Sequence, residues 1–218
     1  MVEENVPLKE GYNIDPTYVK EWLPDLTALD PYLKVSVEDE AVLRDNVAQF
    51  TKEHGADTHK RALLVGRFQP PHAGHLYLIE AALAVSKKIV IGIGSANVRD
   101  SDNPFSALQR ENILRKALND RKIAEDRVQF VYLNDYGDND KWRDKTLEQV
   151  SQLGEIDAVV GNNRWVTDIF SDQRVRTKRL TDRKISVLNP PRFKRDFYRG
   201  EQIRAMLRTS NALRPFGK

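Results

Sequence analysis

The sequence predicts an α/β fold in which a doubly wound, mostly parallel sheet of about five strands follows an N-terminal extension. Two observations carry this. Five short apolar runs, at residues 62–65, 88–93, 128–133, 156–160 and 185–188, have strand length, and stretches with apolar residues at helical spacing separate them. The first four runs pass directly into small or polar residues, which lets a ligand approach the carboxyl ends of the strands.

A chain of 218 residues is long enough to bury a full core, so one domain at 61–218 beside an extension at 1–60 is the expected organisation. Hydrophobic residues make up 40% and no long apolar run occurs, which argues for a soluble protein without a membrane span. The absence of cysteine excludes disulfides, thiolate metal ligands and cysteine nucleophiles. Glu3 and Glu4, with no apolar segment behind them, do not form a secretory signal, and a cytoplasmic location is expected.

Charge is distributed unevenly. Residues 1–60 hold 6 Lys/Arg against 13 Asp/Glu, residues 61–163 hold 14 of each, and residues 164–218 hold 15 against 5. The basic C-terminal segment suits an anionic partner. Its cations include Arg174, Arg176, Lys178, Arg179, Arg183 and Lys184. Opposite charges, and the aromatic Tyr12, Tyr18, Trp22 and Tyr32, predict that the extension docks on the basic segment of its own or a neighbouring subunit, with a disordered tail as the alternative.

Within the extension, Pro7, Pro16, Pro24 and Pro31 break any long helix in its first half. A helix is predicted from Val37, with Leu43, Val47 and Phe50 on one face and Gly55 as its stop. His54 and His59 are expected to be solvent-exposed.

The first core strand, 62–65, ends at Gly66, and Pro70 and Pro71 forbid its continuation because they cannot donate to a ladder. A helix follows over 73–85, with Leu76, Leu78, Ile79, Ala82 and Leu83 at helical spacing. Such a strand–turn–helix aims free backbone N–H groups at an anion. His72 and His75 lie three apart on one face of the first turn, and Gly74 removes a side chain between them.

The second strand leads into Gly94-Ser95-Ala96-Asn97. A helix with Asn103 as N-cap and Pro104 at its first position then runs through Leu108, Ile113, Leu114 and Leu118 to Asn119 and Asp120. The third strand leads into a polar loop holding Asp135 and Asn139, and Trp142 opens a helix over 141–153. The fourth strand ends in Gly161-Asn162 before a helix through Trp165, Ile169 and Phe170.

Gly66-Arg-Phe-Gln-Pro-Pro-His-Ala-Gly-His75 resembles the phosphate-binding signature of the His-x-Gly-His nucleotidylyltransferase superfamily, in the form typical of archaeal-type nicotinamide-nucleotide adenylyltransferases. The resemblance extends to Gly94-Ser95-Ala96-Asn97, to Asn103-Pro104-Phe105, to Asp135, Asn139 and Trp142 at the family's spacing, and to Gly200, Ile203 and Arg204 of a second signature. It implies a Rossmann-like nucleotidylyltransferase fold over about residues 61–208. It also implies transfer of an adenylyl group from ATP to nicotinamide mononucleotide (NMN), with nicotinate mononucleotide as a further substrate, magnesium accompanying ATP and a homo-oligomeric assembly.

By the same resemblance, His72, His75 and Arg204 serve catalysis. Gly66, Arg67, Phe68, Gln69, Gly74, Arg99, Gly161, Asn162, Arg199 and Gly200 bind ATP, and Ser95, Asn97, Asp135, Asn139 and Trp142 bind NMN. The side chains suit these roles: an indole stacks on a pyridine ring and an asparagine pairs with a carboxamide. No protein metal cage is expected. Two departures stand out. Asp102 occupies a position where many relatives carry Arg or Lys, so either Arg99 takes over that contact, the favoured reading, or the contact is absent, and Arg199 and Glu201 replace the hydroxyl residues of the second signature. Another adenylyl- or cytidylyltransferase, and a non-catalytic nucleotide sensor or nucleic-acid binder, are the alternative readings.

Overall fold

A computed structural model describes residues 26–171, 185–194, 198–210 and 212–213. Pro7, Tyr12, Pro16, Tyr18, Trp22 and Pro24 of the extension, and the six cations from Arg174 to Lys184, lie outside the described residues.

After one turn of 3-10 helix, α1 (Asp30–Leu33) and α2 (Val37–His54) form the described part of the extension. Ser36 caps α2 by accepting from the Asp39 N–H at 3.1 Å, and Glu38, Asp39 and Glu40 complement the dipole of its first turn. Gly55, at φ +82°, closes the helix with its N–H on the Thr51 carbonyl, as expected. Beyond it alternate β1 (His59–Gly66), α3 (Ala73–Val85), β2 (Ser86–Ile93), α4 (Ala107–Asp120), β3 (Val128–Tyr132), α5 (Asn139–Ser151), β4 (Ala158–Val160), α6 (Arg164–Ser171), β5 (Ser186–Leu188) and α7 (Gly200–Thr209).

The five strands lie in the order β3-β2-β1-β4-β5, and every neighbouring pair is parallel. Both faces are covered because consecutive strand residues point to opposite sides. Leu64 packs with Leu76, Ile79 and Leu114 under α3 and α4, and Leu63 packs with Trp142, Leu147 and Val166 under α5 and α6. Each fully buried Leu contributes about 1.5–3 kcal/mol of transfer free energy. The chain leaves β1 toward β2 and β3, then returns to the other side of β1 through β4. That reversal between β1 and β4 opens a crevice at the carboxyl ends of the strands.

Several local expectations differ from the structure. β1 begins at His59, inside the segment assigned to the extension, because parallel pairing with β2 starts at His59–Ser86. Ser106, not Asn103, caps α4: Ser106 and Gln109 form a reciprocal capping box. Asn103 is buried and bonds through its backbone N–H and its side-chain amide to the Asp100 carboxylate. Leu108 faces outward on α4, 38% exposed. His54 and His59 are half-buried rather than exposed. The His54 ring meets Phe50 edge-on one turn back along α2, and His59 lies beside Asp157, whose carboxylate takes the N–H groups of Lys60 and Arg61.

The described half of the extension docks on its own chain. α2 packs along α3, and Leu29 sits in a cluster with Ile203, Leu207 and Leu213. Among the described residues, no helix is long and apolar enough to cross a membrane.

Candidate active site

The turn after β1 is built under strain. Phe68 adopts φ +52° and Ser95, at the end of β2, adopts φ +50°, a region that costs a β-carbon residue about 1–2 kcal/mol. Phe68 is fully buried, and its ring packs 4.7 Å from that of His75. Gly66 makes this possible, since a β-carbon there would stand 3.0 Å from the Phe68 ring. Phe68 therefore supports the site from beneath.

His72 and His75, at the start of α3, stack with ring centroids 3.7 Å apart. Burial lowers the pKa of His72 to about 4; burial, and then the neighbouring His72, hold His75 well below the ordinary histidine value. Both rings are neutral at pH 7, each with one N–H to donate. The Nδ1 atoms of both, and the buried Nε of Arg204, have no hydrogen-bond partner among the described residues. Gly74 also fits a tight space: a β-carbon there would meet the His72 ring at 3.1 Å and the Tyr198 Cβ at 3.3 Å.

Gln69 ties the turn to its surroundings. Its side-chain amide accepts from the Phe105 N–H and donates to the Phe105 carbonyl, while its own carbonyl takes Nη1 of Arg204 at 2.6 Å. Arg204 is 6% exposed, and its Nη2 reaches Asp102 at 3.2 Å. The Asp102 departure is thereby given a partner within the site. Arg208, one turn along α7, donates to the Ser101 carbonyl in the same loop. Gly200 opens α7 against the Gln69 carbonyl, which a β-carbon would approach to 2.6 Å, and Arg199 and Glu201 beside it are exposed.

Arg110 is the residue that the sequence reading missed. It is fully buried, and donates to the carbonyls of Arg67, Gly94 and Ser95, so one guanidinium fixes the ends of both β1 and β2. Burial, with the charges of Arg99 and Arg67, pushes its pKa down to about 9. Burial likewise lowers Arg204, with Arg67 and Arg208 adding to the effect. The strand ends thus carry a concentrated positive field, suited to polyphosphate. Its sequence signal was a lone cation on the apolar face of Ile113, Leu114 and Ala117.

A cavity of about 490 Å³ lies beside this turn, lined by Gly66, Arg67, Ser95, Asp135, Asn139 and Trp142. Tyr136, Asn163 and Trp165, which sequence reasoning had not selected, also line it. The Trp142 ring meets Trp165 at 4.8 Å and Phe170 at 6.1 Å, so it is both a core anchor and a cavity wall. Asn97 stays outside the lining: its side chain accepts from the Asp135 N–H at 2.8 Å and holds that loop. Gly161 and Asn162 sit at the end of β4, also outside the lining; Gly161 bonds to the Leu188 carbonyl.

A family model described as Cytidylyltransferase-like matches residues 63–206. A nicotinamide-nucleotide adenylyltransferase from Aeropyrum pernix is 32% identical over 149 residues, covering 68% of this chain and 79% of that protein. The chain belongs to the cytidylyltransferase-like family, in its archaeal-type nicotinamide-nucleotide adenylyltransferase branch. A second such adenylyltransferase, from Thermococcus kodakarensis, is 31% identical over 146 residues, covering 66% of this chain and 71% of its own length. Among solved structures, a bifunctional NMN adenylyltransferase/ADP ribose pyrophosphatase from Francisella tularensis, in complex with AMP and a manganese ion, superposes with a TM-score of 0.58 at 28% identity. That match covers 69% of this chain and 42% of the bifunctional protein. The family match takes in the histidine turn, the cavity and Arg204, but begins after α2.

Proposed function

We propose that the protein transfers the adenylyl group of ATP to the phosphate of NMN, forming NAD and pyrophosphate. The observation that carries this reading is the continuity of two sites. Gly66 and Arg67 belong both to the histidine turn and to the aromatic-walled cavity, so a phosphate at the turn and a planar base against the wall formed by Trp142 and Trp165 fit one bound dinucleotide.

The NMN phosphate is already ionised at neutral pH and attacks the α-phosphorus of ATP directly. The bond from that phosphorus to the bridging oxygen breaks, and pyrophosphate leaves with the electron pair. No protein base or nucleophile is required, so catalysis rests on alignment and charge stabilisation. Neutral His72 and His75 donate hydrogen bonds to the ATP phosphates, Arg204 steadies the charge growing on pyrophosphate, and Arg67 spans the two substrates. The side chains at the turn are cationic or neutral donors rather than oxygen ligands, so magnesium would be held mainly by ATP and water and would supply charge neutralisation of the phosphates.

Asp135 and Asp138 line the cavity, which favours the neutral carboxamide of NMN over the carboxylate of nicotinate mononucleotide. Steady-state assays with each mononucleotide and magnesium-ATP test both points. NAD formation with a preference for NMN is expected; adenylylation of nicotinate mononucleotide at equal efficiency contradicts the preference, and ATP binding without turnover contradicts the reaction.

A further inference from the structure

The extension reaches the histidine turn. Leu43 of α2 is buried in one cluster with Ala73 and Tyr77 of α3 and with Phe193 and Tyr198. Beside that cluster Asp39 is 6% exposed, ion-paired with Lys194 and accepting from the Tyr198 hydroxyl at 3.4 Å. A carboxylate held this far from water is costly unless its partners are fixed. Glu38 and Glu40 already supply negative charge to the first turn of α2, so the dipole alone does not require Asp39.

Tyr198 transmits the contact. Its ring stacks at 6.2 Å and 17° from His72, and at 5.8 Å and 12° from Phe193. It also stands two residues before Gly200, where α7 begins its approach to Gln69. The orientation of Tyr198 therefore bears on both the His72 ring and the start of the helix that carries Arg204.

We propose that Asp39 is a positioning residue of the transfer site: by holding Tyr198 it fixes the His72 ring and the entry to α7, so the extension completes a site whose other parts lie in the family-matched region. The inference takes the ligand's identity from the adenylyltransferase reading, but three of its measurements need no turnover. In the full chain, Asp39→Ala, Asp39→Asn, Tyr198→Phe and a control, Phe50→Leu at the far end of α2, are compared by melting temperature, His72 ring resonances, ATP affinity by calorimetry, and kcat and KM.

Asp39→Ala and Tyr198→Phe are expected to shift the His72 resonances, weaken ATP binding and lower kcat about tenfold, while KM for NMN stays within about twofold of wild type. Asp39→Asn keeps an acceptor for the Tyr198 hydroxyl and restores most of kcat. Phe50→Leu lowers the melting temperature without moving His72. If Asp39→Ala fails to fold, the Asn and Phe variants carry the comparison. Variants that melt earlier but keep wild-type His72 resonances, ATP affinity and kcat overturn the proposal. A wild-type protein that binds ATP yet makes no NAD refutes the reaction assignment instead, and the resonance and affinity comparisons still decide the role of Asp39.

Discussion

Arg204 of α7 donates its Nη1 to the backbone carbonyl of Gln69, 2.6 Å away on the turn after β1. Two segments 135 residues apart are thereby joined at the proposed phosphate site. The fit depends on Gly200, which lets α7 begin against the same carbonyl.

Gly200→Ala is accordingly expected to displace α7 from Gln69. The clash is with backbone, which relaxes poorly, so a stability loss of about 1–3 kcal/mol is expected, with a fall in kcat larger than any change in KM for NMN. Thermal melts and steady-state kinetics on the same preparation check this.

If Arg204 meets the ATP phosphates as proposed, Asp102 competes with ATP for it. The carboxylate is 68% exposed, which puts its ion pair in the range of about 0–1 kcal/mol. Asp102→Asn is therefore expected to tighten ATP binding by up to about fivefold, since about 1 kcal/mol corresponds to that factor. Calorimetric titration with ATP reads the change directly, and weaker binding in the variant counts against competition.

The order of strands and helices was legible because each apolar run is short and punctuated by Gly, Pro or Asn. The histidine turn was legible because so few residue types permit it. What stayed hidden depends on partners distant in sequence. The Arg110 side chain has meaning only once β1 and β2 end side by side, and Trp165 becomes a cavity wall only after α6 lands beside α5. That the Asn97 amide holds the Asp135 loop is likewise visible only once β2 and β3 end side by side. The cap of α4 was misplaced because Asn103-Pro104 and Ser106-x-x-Gln109 are both good start signals, and Gln69 fixes Phe105 just ahead of the second.

Trp142 and Trp165 separate recognition from folding. Trp165 is 45% exposed and Trp142 only 4%, so Trp165→Ala tests stacking with little loss of core. Its KM for NMN is expected to rise about tenfold, the size of one lost aromatic contact, with KM for ATP within about twofold. Trp142→Phe, which keeps a ring, is expected to retain most of the NMN affinity.

The buried histidines make stability depend on pH. Their folded pKa values lie below the unfolded value, about 4 against 6.5 for His72, so the unfolded chain binds more protons in that window. Stability contributed by the neutral rings is complete above about pH 6.5 and declines as pH falls toward 4, by up to about 1.4 kcal/mol per pH unit for each histidine. Denaturant titrations at several pH values are expected to flatten across this window in His72→Gln. An unchanged slope in that variant contradicts the assignment.

The most direct test of the account is the steady-state rate of NAD and pyrophosphate formation from magnesium-ATP and NMN, measured for the wild-type protein beside His75→Ala. The expected result is equimolar NAD and pyrophosphate from wild type, and a kcat lower by about 10²–10³ in the variant, the usual cost of one preorganised donor. Absence of NAD from wild type, or an undiminished kcat in His75→Ala, contradicts it.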